Sequence, residues 1–399
     1  MSEKTANVSE YITENFGANA SYVEGLLNRY NSDPNLVDES WRSFFSDLLD
    51  GKASPEQGNG QTTAAANKPQ ATSAASEKTN GAAVQEKAAP APVKTQPTTI
   101  GAGVEVKPLI GASKKIVENM EQSLTVPTAT SVRSIPVKVL EENRRIINEH
   151  LQTAGRGKVS FTHLIAWAIV KALKTYPQLN NGYGFINNAP SRLQSESVNL
   201  GMAIDIEKKD GSRNLLVPNI KNSNSMNFAE FFAAYNETVK KARDGKLTIE
   251  DFQGTTISLT NPGTLGTVSS NPRLMSGQSA IIATGAIEYP AEYQAMTAAA
   301  LSQLGISKTI TLTSTYDHRV IQGAESGLFL ARIHQFLIGQ HEFYNEIFAD
   351  LEINYPPLRW AEDYNPSLFG GDHFRQQTEK QAKVLELINA YRIRGHLLA

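Results

Sequence analysis

Between residues 51 and 106 the chain contains no aromatic residue and is built mostly from Ala, Pro, Thr, Gln, Lys, Gly and Ser. Such a stretch has too little apolar surface to offset the entropy of ordering it. It reads as a disordered linker, locally stiff at Ala89-Pro90-Ala91-Pro92. The linker divides the 399 residues into a short N-terminal unit, residues 1–50, and a longer body. Tyr355-Pro356-Pro357 interrupts the body, which leaves one domain over 107–350 and a C-terminal piece over 351–399.

In the N-terminal unit Tyr22, Val23, Leu26, Leu27 and Tyr30 recur at helical spacing, and Asp33-Pro34 breaks the pattern. Val37, Trp41, Phe44, Phe45, Leu48 and Leu49 form a second stripe entered through Asp38. Two short helices cannot bury that much aromatic surface alone. Either the pair folds back on its own chain or it docks on another subunit.

The body alternates strands and helices. Ser113 opens a first helix with Ile116, Val117, Met120 and Leu124, and Val126 to Val137 alternates like a strand. Val139 to Leu151 is helical, and Ser160 caps an apolar helix from Leu164 to Tyr176 that Pro177 ends. Val198 to Ile206 and Asn214 to Ile220 read as a hairpin across Lys208-Lys209-Asp210-Gly211. Phe228 to Ala242 is helical. Thr255 to Thr260, Ala280 to Ile287 and Thr309 to Tyr316 are further strands, and Ala324 to Phe336 is a further helix. Hairpins mixed with helical connections predict an α/β domain, a mixed sheet covered by helices on one side.

Several functions are disfavoured by composition. With no cysteine the chain has neither disulfides nor thiolate ligands, which fits the cytoplasm. The seven histidines show no metal-ligand spacing, so no metal site is expected. A net charge of -2 gives no reason to expect nucleic acid or an anionic membrane as partner. No apolar run reaches the roughly 18 residues that cross a bilayer.

The most chemical segment is Asp317-His318-Arg319-Val320-Ile321-Gln322-Gly323. It puts a histidine where a strand ends and a helix is about to begin, so a scaffold can hold the ring still and leave it reachable. Taken alone, a turn histidine satisfied by its neighbours is an equally good reading.

Five segments together resemble a known family. Val159-Ser160-Phe161-Thr162, Val198-Asn199-Leu200-Gly201-Met202-Ala203-Ile204-Asp205, Leu215-Leu216-Val217-Pro218, Thr256-Ile257-Ser258-Leu259-Thr260-Asn261-Pro262-Gly263 and Asp317-His318-Arg319 stand in the order found in dihydrolipoyl acyltransferases of the 2-oxo acid dehydrogenase complexes. The resemblance covers residues 107–350 and implies a chloramphenicol acetyltransferase-like fold. Residues 8–48, through Asn19-x-x-Tyr22-Val23-Glu24, Asp33-Pro34 and Ser40-Trp41-Arg42-x-Phe44-Phe45, resemble the N-terminus of 2-oxoglutarate dehydrogenases. Leu387-Ile388-Asn389-Ala390-Tyr391-Arg392-x-Arg394-Gly395-His396 resembles the start of their thiamine-diphosphate-dependent body. The order of the pieces is similar to the fused actinobacterial 2-oxoglutarate dehydrogenases. The helical pattern Gln376 to Leu398 runs into the chain end, so the sequence reads as the front of a longer chain.

The resemblance implies that His318 is a general base for the CoA thiol and Thr260 a hydroxyl donor to the tetrahedral oxyanion. Leu216, Val217, Pro218, Asn261 and Gln322 are implied to lie at the substrate or CoA site. CoA is then a substrate, and lipoamide comes in trans, because nothing before residue 107 has the β pattern of a lipoyl domain. Thiamine diphosphate and Mg belong only to the dehydrogenase domain beyond this chain. The implied partners are a lipoyl-bearing acyltransferase and dihydrolipoamide dehydrogenase, and the implied assembly is a homotrimer with its site between subunits. Gln322 departs from the family, which usually has aspartate there. A glutamine brings hydrogen bonds without charge, and Arg133 is a candidate partner for the region. Three readings follow: a succinyltransferase, a non-catalytic core that scaffolds a dehydrogenase and binds CoA or acetyl-CoA, or a stand-alone acetyltransferase acting on a small amphiphile.

Overall fold

The computed structural model describes residues 8, 11–12, 15–16, 19–49, 105–106, 108–109, 112–207, 213–275, 277–361 and 383–384. Residues 51–104 of the expected linker, the hairpin tip Lys208-Lys209-Asp210-Gly211 and nearly all of the pattern Gln376 to Leu398 lie outside the described residues.

Two helices open the described chain, α1 (Ala20–Ser32) and α2 (Glu39–Leu49). Beyond residue 106 come α3 (Ala112–Ser123), β1 (Thr128–Pro136), α4 (Lys138–Thr153) and α5 (Phe161–Thr175). The hairpin β2 (Gly182–Ile186) and β3 (Ala189–Leu193) follows, then β4 (Leu200–Met202), β5 (Ile204–Glu207), β6 (Arg213–Leu216) and β7 (Asn219–Ile220). The rest is α6 (Phe228–Asp244), β8 (Ile257–Thr260), β9 (Ala280–Thr284), α7 (Ala298–Gln303), β10 (Thr309–Asp317), α8 (Gly323–Leu337) and α9 (Phe343–Asp350).

Six strands form one sheet in the order β1-β10-β9-β8-β4-β7. The pairs β8–β9 and β8–β4 are parallel and the others antiparallel, so the sheet is mixed. All five residues of β9 are buried, as expected of a central strand covered on both faces. On one face Ser314 Oγ meets Ser326 Oγ of α8 at 3.1 Å. On the other, Thr313 Oγ1 donates to the Ser270 carbonyl at 2.5 Å, so the segment after β8 covers that side. Helices and an irregular segment therefore share the two faces.

The predicted hairpin is split. Leu200 and Gly201 pair with Ile220 and Asn219 in the main sheet, whereas Ile204 to Glu207 pair with Leu216 to Arg213 in a separate ribbon. Pro218 sits at the break. It has no N–H to continue the ladder, and its carbonyl accepts from Met202 N at 2.8 Å. The hairpin β2–β3 was not foreseen. Its turn, Asn187-Asn188, has both residues at positive φ (51° and 62°), the conformation of a two-residue type I′ turn that asparagine tolerates.

The N-terminal pair packs on its own chain. Val23, Leu27, Trp41, Phe45 and Leu48 share a core with Leu216, Ala242, Leu247, Ile249 and Phe252. Trp41 Nε1 donates to the Leu247 carbonyl at 2.9 Å, and Val217 N donates to Asn19 Oδ1 at 2.9 Å. Among the described residues no helix is long and apolar enough to cross a membrane.

Helix α5 begins as its sequence predicts, with Ser160 as N-cap. Its third residue, His163, closes the cap: Nδ1 accepts from Ser160 N at 2.9 Å. Burial holds the His163 pKa down to about 4, and a neutral ring is what an accepting Nδ1 requires. A folded-state pKa below the unfolded value of about 6.5 means that this stability is complete above that pH. It is lost as pH falls through the window from about 6.5 to about 4, by about 2 kcal/mol at pH 5. His163→Gln is expected to flatten the fall in urea midpoint between pH 7 and pH 5. An unchanged slope would show that His163 does not set it.

Candidate active site

Strand β10 delivers His318 to the sheet end. The His318 main-chain N–H donates to the Pro127 carbonyl at 2.9 Å, just before β1, so the backbone is tied down where the strand stops. Its neighbours are locked as well. Asp317 is 2% exposed, and Arg319 holds its carboxylate in a fork, Nε and Nη2 lying 2.9 and 2.7 Å from Oδ1 and Oδ2. The Arg319 guanidinium also stacks on Tyr183 of β2, 3.8 Å from the ring centroid. Between these fixed groups the His318 side chain is exposed, its ring 5.6 Å from that of Tyr316.

Thr260 ends β8 and is half-buried. The turn behind it is set by close backbone contact. A Cβ on Gly263 would lie 2.2 Å from the Gly285 carbonyl, and one on Gly285 would lie 1.8 Å from the Val268 oxygen. Only glycine permits both approaches. Asn261 Nδ2 donates to Thr162 Oγ1 at 2.8 Å, so this side chain ties the turn to the start of α5.

Sheet register separates the two candidates. Thr260 is level with Ala283 of β9, and Ala283 with Thr313 of β10. His318 stands five positions beyond Thr313 (318 − 313 = 5). That is about 17 Å along the strands and about 10 Å across two strand spacings, or about 20 Å in all. One chain does not bring His318 and Thr260 together.

The remaining predicted residues lie elsewhere. Leu216, Val217 and Pro218 are buried inside the chain, Leu216 in the core shared with the N-terminal pair and Val217 bonded to Asn19. Gln322 is exposed at the N-cap of α8, where its main-chain N–H donates to Glu325 Oε2 at 2.8 Å. Arg133 Nε reaches His334 Nδ1 at 2.9 Å, some three turns along α8 from Gln322, and so serves a different part of that helix. Asn19, Tyr183 and Thr162 were not anticipated. Asn19 and Thr162 stand in segments that resemble the family, but the contacts of Tyr183 and Thr162 join segments about a hundred residues apart or more, and that of Asn19 spans nearly two hundred, so no local pattern marks their partners.

Residues 102–343 match the family described as 2-oxoacid dehydrogenases acyltransferase (catalytic domain), and residues 15–52 match the 2-oxoglutarate dehydrogenase N-terminus. The chain belongs to the 2-oxoacid dehydrogenase acyltransferase family through this catalytic domain. It is 47% identical over 413 residues to a multifunctional 2-oxoglutarate metabolism enzyme of Mycolicibacterium vanbaalenii, covering 96% of this chain and 32% of that protein. A protein of the same description from Mycobacterium sp. strain KMS is 45% identical over 432 residues, with 96% and 33% covered. The chain thus spans about a third of the length of these relatives. Among solved structures, a probable dihydrolipoamide acetyltransferase from Listeria monocytogenes superposes with a TM-score of 0.49 at 24% identity, covering 65% of this chain and 100% of that one. A truncated catalytic core of the 2-oxoacid dehydrogenase complex from Thermoplasma acidophilum gives 0.48 at 24% identity, covering 59% and 98%.

The glycine contact gives a direct expectation. Gly285→Ala must push the Val268 backbone aside, and with it the turn behind Thr260. The variant is expected to lose several kcal/mol (about 3 or more) of stability in urea unfolding. A midpoint like that of the parent would show that this backbone approach is not required.

Proposed function

We propose that this domain transfers a succinyl group between dihydrolipoamide, carried by another protein, and CoA, within a 2-oxoglutarate dehydrogenase complex. The observation that carries the reading is the exposed His318 on a fully pinned strand end, in a chain of an acyltransferase family. In the proposed reaction the His318 imidazole takes the proton of the CoA thiol, which at neutral pH is mostly protonated. The thiolate sulfur attacks the thioester carbon of acyl-dihydrolipoamide. A tetrahedral oxyanion forms and accepts a hydrogen bond from Thr260 Oγ1. Its collapse breaks the bond to the dihydrolipoamide sulfur, which recovers the proton from the imidazolium.

The separation of about 20 Å supports a site between chains, with His318 from one and Thr260 from the next. Exposed apolar residues support self-association: Ile116, Met120 and Leu124 on and after α3, and Phe185 and Ile186 on β2. In this reading residues 1–50 are the dehydrogenase-type segment, 51–106 the linker, and 351–399 the start of a thiamine-diphosphate-dependent domain. Dihydrolipoamide dehydrogenase and a lipoyl-bearing acyltransferase are the proposed partners. Gln322 favours a second reading, a CoA-binding core without turnover, because it puts an uncharged amide where the family usually has aspartate.

His318→Ala is expected to lower succinyl transfer from succinyl-CoA to free dihydrolipoamide by about 10² to 10⁴-fold. Transfer at the parent rate would remove His318 from the mechanism, and no transfer by the parent chain would favour the core without turnover. Co-expressed His318→Ala and Thr260→Ala chains are expected to recover roughly a quarter of parent activity through mixed interfaces. Recovery of none would place the complete site within one chain.

A further inference from the structure

Asn19 holds the N-cap position of α1, yet its side chain makes no cap bond to its own helix. Asparagine is favoured there because its oxygen usually serves the first-turn N–H groups. Here Oδ1 reaches nearly two hundred residues along the chain and accepts the Val217 N–H at 2.9 Å. Both residues are buried, 3% and 4% exposed, so this bond has no water to replace it. The next links run inward. The Pro218 carbonyl accepts from Met202 N at 2.8 Å. Ala203 N donates to the Leu259 carbonyl at 2.9 Å, and Leu259 pairs with Met202 in parallel register. The residue after Leu259 is Thr260.

The break in the hairpin makes this path necessary. Pro218 cannot donate to a ladder, and Val217 lies between β6 and β7 with its N–H directed out of both ribbons. Without Asn19 that donor is orphaned inside the joint core formed by Leu216, Trp41, Leu247 and Phe252. Trp41 and Tyr22 fix the same helical pair at a second point, both donating to the Leu247 carbonyl, at 2.9 and 3.5 Å.

We infer that the N-terminal helical pair is a positioning element for acyl transfer: through Asn19 it braces the Leu216–Pro218 segment, and through that segment the strand end that carries Thr260. The inference rests on the proposed role of Thr260. It gives the dehydrogenase-type segment a task inside the acyltransferase domain. Asn19 is a positioning residue and touches no reacting group.

The test compares Asn19→Leu, which keeps the branched shape and removes the acceptor, with Asn19→Asp, which keeps an acceptor oxygen. Both are made in the whole chain in its assembled form. Removal of residues 1–50 would expose Leu216, Leu247 and Phe252, so point variants are preferred. Asn19→Leu is expected to lower kcat for succinyl transfer by about tenfold, with KM for CoA within about twofold. Amide exchange at Val217, Met202 and Ala203 is expected to accelerate by about tenfold in the same variant. Asn19→Asp is expected to restore both. A parent-like kcat in Asn19→Leu, or equal impairment in the two variants, overturns the inference while leaving acyl transfer intact. A parent chain without transfer removes the catalytic reading instead. The brace is then judged by exchange, and unchanged exchange at Met202 and Ala203 overturns it.

Discussion

From Leu312 to Tyr316, β10 pairs on one side with β1 and on the other with β9. Both of its faces are covered, one by α8 and one by the segment after β8. A slip of one residue would exchange the side chains of the two faces, placing Leu312 against the Ser270 carbonyl and Thr313 against the helix. The register is therefore fixed, and the position where the chain leaves the sheet is fixed with it. That exit is Asp317, and the next residue is His318. The catalytic candidate owes its place to strand pairing, and the Asp317–Arg319 fork keeps the exit from fraying.

His163 and His318 show how little the residue type decides. Both precede or open a helix, and both stand in segments shared with the family. His163 is buried beside Phe232 and Tyr235, with ring centroids 5.0 and 4.1 Å away, and its Nδ1 is committed to the cap of α5. Burial keeps it neutral well below physiological pH, so it cannot act as a proton carrier there. His318 has an anchored backbone and an exposed ring. A base must meet substrate, and only the second environment allows it.

The sequence made the helices and the long strands readable because their apolar residues recur at helical or alternating spacing and their caps are local. Ser160 before α5 and the break at Pro177 are examples. The strand end carrying His318 was readable for the same reason. Less was legible where one residue changes the plan of a ribbon. Val198 to Ile206 reads as one strand, yet Pro218 on its partner divides it between two sheets. The Asn187-Asn188 turn was missed because asparagine at positive φ is permitted rather than required. Leu216, Val217 and Pro218 were expected at the substrate site through family resemblance. The cover of Leu216 and the acceptor for Val217 N arrive from residues 19–49, and no spacing rule carries information over that distance.

The sheet also sets terms for the proposed assembly. A base at one end and a hydroxyl donor about 20 Å away cannot share a substrate within one chain, since the reacting atoms span only about 3 Å. Joining one chain's His318 end to another's Thr260 end is a head-to-tail contact, and such contacts either close into a ring or grow without limit. A closed ring makes every site equivalent and leaves no unpaired His318. It also couples catalysis to anything that moves β8 against its neighbours. The N-terminal pair grips the chain next to β8, through Val217 and Pro218 to Met202. A segment outside the catalytic fold is thereby mechanically in series with one half of each proposed site.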